Sequence, residues 1–210
     1  MGFLAKGRRW LAPALAGLIA LEGVLLWLSP AEQKLGQVVK LVYLHGALIR
    51  AGLAGFVVAA ALSLAYLIAR RAGLYLWLLA AQRATLLTWV VYVLSSMAVT
   101  YLTWGVAIAW GEPRVMTTIR ISVAALLIFL VTELLKQPLL TAAGTFLLGA
   151  VALWATQSAG VIRHPIDPIG GSSSATIKLF YAGIVGVMLL LVATVTLLLR
   201  AAAAGRRSSP

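Results

Sequence analysis

The chain reads as long apolar runs separated by short polar breaks. A run of about 18 residues or more is long enough to cross a hydrocarbon layer as a helix. Six runs predict helices over about 11–29, 39–69, 75–104, 118–135, 139–157 and 177–200. Pro13 falls in the first turn of the first, where a missing N–H costs little, and Ser29-Pro30 ends it. The second, at about 1.5 Å per residue, is about 45 Å long, more than a core of about 30 Å requires. It is predicted to project from the bilayer at its His45 end. Gly46, Ala47, Ala51, Gly52 and Gly55 give it one smooth face. Such a face suits close helix packing, or a flat ligand beside the histidine.

Few charges interrupt the runs. Glu22 lies within the first, and an intramembrane acid marks a functional candidate. A position near the outer interface, hydrogen-bonded to a neighbouring helix, would explain it as well. Arg83 lies about two turns inside the third run and is expected to snorkel or to pair with another helix. Glu133 is expected to pair with Lys136 at the inner interface.

Two breaks hold more than turn residues. Residues 101–122 carry Trp104-Gly105, Trp110-Gly111, Glu112, Pro113, Arg114 and Arg120, and are predicted to form a loop at the membrane surface. Residues 157–174 carry Arg163, His164, Asp167, two prolines and paired glycines, which forbid regular helix through most of the stretch. An even number of spans puts both termini on one side. That side then holds ten of the cations, among them Arg70, Arg71, Lys136 and Arg200. Seven remain outside: Lys34, Lys40, Arg50, Arg114, Arg120, Arg163 and Lys178. The bias predicts cytoplasmic termini in a cell inner (cytoplasmic) membrane.

Composition sharpens this picture. The chain of 210 residues is 62% hydrophobic and 10% charged, whereas soluble domains carry about 25% charged residues. The expected class is therefore an all-α, polytopic membrane protein of one domain. The run from Leu11 to Leu28 is too long for a signal-peptide core and reads as a retained first helix. The net charge of +12 does not point to nucleic acid, because the cations flank apolar runs, where they meet lipid phosphates. Absence of cysteine excludes disulfides and thiolate metal sites. No serine, histidine and acid stand at spacings that suggest a hydrolase, and an enzyme is not expected. The runs lack the paired midplane breaks of a small-molecule transporter.

This topology gathers both histidines, His45 and His164, on the outer side with Trp104, Trp110, Arg114 and Arg120. Two imidazoles can ligate a haem iron, tryptophan faces pack on a porphyrin, and guanidinium groups pair with propionates. Interfacial tryptophan also forms aromatic belts and interfacial arginine meets phosphate, so the residues accommodate either account. A bare metal site is less suited, with Glu32, Glu112 and Asp167 the only outer acids.

The segment Lys40-Leu-Val-Tyr-Leu-His45 resembles the Tyr-Leu-His segment of the CcmC-type haem-handling proteins of cytochrome c maturation. Trp104-Gly105, Trp110-Gly111 and Arg120-Ile121-Ser122 are similar to that family's tryptophan-rich outer loop and its exit. Ile166-Asp167-Pro168 resembles the stretch before its final helix. The resemblance covers about residues 33–200 and rests on co-occurrence of short motifs. It implies a six-helix fold that holds haem b at the outer face and passes it to a haem chaperone. By it, His45 matches the first axial histidine, Trp104 and Trp110 two loop tryptophans, and Arg120 the arginine after the motif. His164 is the second histidine available. Residues 114–118, Arg-Val-Met-Thr-Thr, replace the further tryptophans of the family loop. That replacement suits an alternative, a relative serving as a structural or haem-binding membrane subunit of a larger respiratory or photosynthetic complex.

Overall fold

The computed structural model describes residues 2–163 and 169–205. His164 and Ile166-Asp167-Pro168 lie outside the described residues. Among the described residues the chain is six helices: α1 (Gly2–Leu28), α2 (Val39–Ala69), α3 (Ala72–Trp104), α4 (Pro113–Leu135), α5 (Pro138–Ser158) and α6 (Ala175–Gly205). All six are long and apolar enough to cross a membrane. In lipid every backbone polar group must be satisfied within the segment, so apolar runs of this length fold as helices.

The helices exceed the predicted ones at their polar ends. α1 begins at Gly2 and α6 continues to Gly205, because Lys, Arg and Ala are good helix formers. Charge marks the edge of the bilayer and not the end of a helix. Pro13 consequently lies inside α1 rather than in its first turn. α4 begins at Pro113, five residues earlier than the apolar run suggests. Proline at the first helical position has a suitable φ and lacks only an N–H that would be unbonded anyway. Gly105 ends α3 in the left-handed conformation, φ 75°, with its N–H on the Tyr101 carbonyl at 2.9 Å. Its place in the Trp-Gly pair is that of a helix stop.

α2 is the centre of the bundle. It packs chiefly on α3 and α5 and also meets α6, while α1 lies against α6 and α4 against α5. The smooth face of α2 serves this packing and not a flat ligand. Ala47 and Ala51 are fully buried. A Cβ at Gly55 would stand 2.4 Å from Thr85 Oγ1 on α3, and one at Gly149 of α5 would stand 2.8 Å from the Phe56 carbonyl. Glycine lets both neighbours approach the α2 backbone.

Polar groups inside the bundle find partners across helices. Gln82 Nε2 donates to Thr145 Oγ1 at 2.9 Å, and more weakly to Thr132 Oγ1 at 3.4 Å. Arg83 pairs with Glu133 at 2.5 Å, so Glu133 is engaged by α3 and not, as expected, by Lys136. Lys136 instead ends α4 with φ 49°. Glu22 differs from expectation in the other direction. It is buried on the side of α1 that includes Leu25, which meets Gly183 of α6. Its two carboxylate oxygens have no hydrogen-bond partner among the described residues.

Candidate functional site

The six helices bring the α1–α2, α3–α4 and α5–α6 connections to one end of the bundle. Contacts between them are direct. Lys40 Nζ donates to the Trp27 carbonyl at 2.6 Å, and Tyr43 OH to that of Pro30 at 3.2 Å, which holds the end of α1 against the start of α2. The Arg163 guanidinium lies over the Trp104 ring, 5.6 Å from its centroid. Trp104 is half-buried.

Glu112 joins the other two connections. Its carboxylate accepts the Ile162 N–H, at 3.2 and 3.3 Å to the two oxygens, and the Arg163 N–H at 3.0 Å. The residue is 1% exposed. A buried carboxylate requires such donors, and charge makes these bonds stronger than those between neutral groups. Its own backbone closes the Ala109–Glu112 turn and takes the Met116 N–H at 3.1 Å, opening α4. The residue therefore starts a helix and clamps a loop distant in sequence. Sequence reasoning gave Glu112 only a charge. The available signal was an acid directly before a helix-opening proline, in a chain with five acids.

His45 lies on α2 about three turns from Gly55, toward the end of the bundle that holds the α3–α4 connection, and is half-buried. Its ring stacks on Tyr92 of α3, with centroids 5.0 Å apart and planes inclined by 22°. Its Nδ1 is 3.3 Å from Ser95 Oγ. The Ser95 hydroxyl donates its one proton to the Tyr92 carbonyl at 2.7 Å. With that proton so placed, the Ser95 oxygen is left to accept toward His45, which matches the tautomer with its proton on Nδ1. This is the tautomer of a histidine that ligates a metal through Nε2 with the other nitrogen anchored.

Tyr92 continues the network to α4. Its hydroxyl is 3.0 Å from Thr118 Oγ1, and the charge of Arg114 acts on it as well. Below it the Trp89 ring lies 4.7 Å from that of Tyr92, tilted by 49°, and donates Nε1–H to Ser122 Oγ at 3.0 Å. Phe56 meets Trp89 edge-on at 5.1 Å. A column of aromatic rings thus supports His45 from beneath, tying α2, α3 and α4.

Of the residues singled out in the sequence, His45 and Arg114 share the Tyr92 neighbourhood, and Trp104 joins Arg163 and Glu112 at the same end. Trp110 is 65% exposed. Arg120 is also exposed. It stands two residues from both Thr118 and Ser122, about 200° around α4 from each, on the face away from Tyr92 and Trp89. The structure does not bring Arg120 to His45. Among the described residues no group of three His, Cys, Asp or Glu side chains could hold a metal ion. No family model matches the chain, and no curated protein matches it.

Proposed function

We propose that this chain is a haem-handling integral membrane protein that holds haem b at the outer end of its bundle for export or delivery, with His45 as an iron ligand. The observation that carries the reading is the His45 geometry. Its Nδ1 is on Ser95 and its ring is stacked on Tyr92, so the imidazole is held in one orientation at the end of the bundle that also carries Trp104 and Arg114. A porphyrin brings four nitrogens of its own, so it asks the chain for one or two ligands and not for a cluster of three. The donor set fits that demand.

Other residues then have defined tasks. Trp104 offers an aromatic face beside the site, already covered on one side by Arg163. Arg114 and Arg163 supply charge for the two propionates. Glu112 fixes the backbone at Ile162 and Arg163, the described residues that lead into His164. His164, the second proposed ligand, follows directly in sequence. The resemblance to the CcmC-type family supports the same role, with a haem chaperone as recipient.

The alternative, a membrane subunit of a larger complex, draws on different residues. Trp110 and Arg120 face outward instead of toward His45. An exposed tryptophan and arginine at the bilayer surface are residue types that favour protein contacts.

The test is a visible spectrum. The protein is purified in detergent with haem b supplied, beside His45→Ala and His164→Ala. A Soret band that is lost or displaced in His45→Ala is expected. Absence of the band from the unmodified protein, or a band indifferent to both substitutions, overturns the haem reading. Co-purification then separates the roles: a haem chaperone supports delivery, respiratory or photosynthetic subunits support the alternative.

A further inference from the structure

A polar cluster lies inside the bundle, well below the outer end. Gln82 is on α3, about 15 Å from Tyr92 along the helix. Its amide nitrogen donates to Thr145 Oγ1 of α5 and faces Thr132 Oγ1 of α4. The Thr132 hydroxyl gives its proton to the Ile128 carbonyl at 2.8 Å, so toward Gln82 its oxygen is left to accept. The amide thus presents its NH2 to the two threonines, and Gln82 Oε1 is buried with no hydrogen-bond partner among the described residues. Thr85 follows one turn along α3, and its Oγ1 is in the same condition. The two residues are 6% and 2% exposed.

These groups share one space. Gln82, Thr85 and Thr145 line a cavity of about 10 Å³, with Phe56, Leu86 and Leu148 among its apolar walls. It lies where α3 and α5, both packed on α2, meet each other little. The volume is about the least that holds one water molecule. Chemistry selects among occupants. Gln82 Oε1 calls for a donor, and each hydroxyl can give a proton or take one. Water can donate to Oε1 and bond both hydroxyls, the three partners usual for a buried water. A metal cation asks for about six oxygen ligands and a compensating charge, and among the described residues no acid lines the cavity. An apolar occupant would leave the polar groups unpaired in a low-dielectric interior.

We infer that this cavity is a binding site for one water molecule, which hydrogen-bonds Gln82 Oε1, Thr85 Oγ1 and Thr145 Oγ1 and joins α3 to α5 inside the membrane. The site is remote from His45 and does not depend on the haem reading.

The experiment is NMR of the full chain in detergent, with labelled leucine methyl groups and magnetisation transferred from water. Cross-peaks with water are expected at Leu86 and Leu148, and none at Leu78, which is fully buried and off the cavity. Thr85→Val keeps the shape of the side chain and removes the hydroxyl. It is expected to abolish the cross-peaks and to lower the melting temperature by about 2–4 °C, the shift of one lost buried hydrogen bond in a chain of this size. Thr141 Oγ1 is also buried without a partner among the described residues, but it does not line the cavity. Thr141→Val should leave the melting temperature unchanged or raise it. Absence of both cross-peaks from the unmodified protein overturns the site. A melting temperature unchanged or raised in Thr85→Val overturns it as well, because the hydroxyl would then have had no partner to lose. Cross-peaks that persist in Thr85→Val overturn the place of Thr85 in the site. A melting temperature raised by sodium chloride over choline chloride, in the unmodified protein and not in Thr85→Val, overturns water in favour of a cation.

Discussion

The carboxylate of Glu112 accepts the backbone N–H of Arg163 at 3.0 Å, from 51 positions away in the chain. One buried side chain thereby sets the distance between two connections that carry most of the candidate chemistry. Glu112→Ala leaves the Ile162 and Arg163 N–H groups without their acceptor. A loss of about 2–3 kcal/mol is expected, with faster proteolysis at residues 159–163. Glu112→Gln keeps one acceptor oxygen and should lose less. Thermal unfolding in detergent with limited proteolysis measures both. Equal stability of the Ala variant and the unmodified protein would contradict the clamp.

Ser95 fixes the tautomer of His45 without being a ligand. Under the proposed haem ligation by His45, Ser95→Ala is expected to keep a Soret band and weaken haem affinity about 10–100-fold, the usual consequence of losing the partner of a ligating histidine. Haem titration of the two proteins reads the difference. An affinity unaltered by Ser95→Ala removes the anchoring role, even where His45→Ala abolishes the band.

Glycines in the bundle divide by what surrounds them. Gly149→Ala drives a methyl group toward the Phe56 carbonyl, 2.8 Å away, and toward Ala60. Separation of α2 and α5 at a cost of about 1–3 kcal/mol is expected. Gly23→Ala in α1 meets nothing within 4 Å and should be neutral or stabilising, since alanine is the better helix former. The two melting temperatures in one detergent test the contrast, and a shared direction of change would refute it.

The Gln82–Thr145 bond joins α3 to α5 inside the bundle. Polar pairs between membrane helices are worth about 0.6 kcal/mol on average, because the unfolded chain in lipid finds other partners. A double-mutant cycle with Gln82→Ala and Thr145→Ala should give a coupling of that order. A coupling above about 2 kcal/mol would mean that Gln82 organises far more than this pair.

Much of the fold was legible in the sequence because the bilayer simplifies the problem. Runs such as 39–69 must be helices, and alternation across the membrane places His45, Trp104 and Arg114 at one end. Helix ends were less legible where polarity and helix propensity disagree, as at Gly2 and Gly205. The α4 start was legible in Pro113 but was obscured by the charges around it. Arg83 had two readings in the sequence, and the approach of Glu133 selected pairing. Glu22 had two as well, and its burial with no hydrogen-bond partner among the described residues removed the one that gave it a hydrogen bond.

The sequence by itself determined the spans, their order and the residues near each membrane face, because these follow from local hydropathy and the need to satisfy the backbone in lipid. Only the tertiary structure decided which helix lies beside which, and how each is rotated about its axis. Rotation put Thr118 on Tyr92 and turned Arg120 away. Adjacency put Glu112 under Ile162 and Arg163, and Ser95 on His45. These contacts depend on the shapes of faces brought together from distant segments, for which no single stretch of sequence carries a signal.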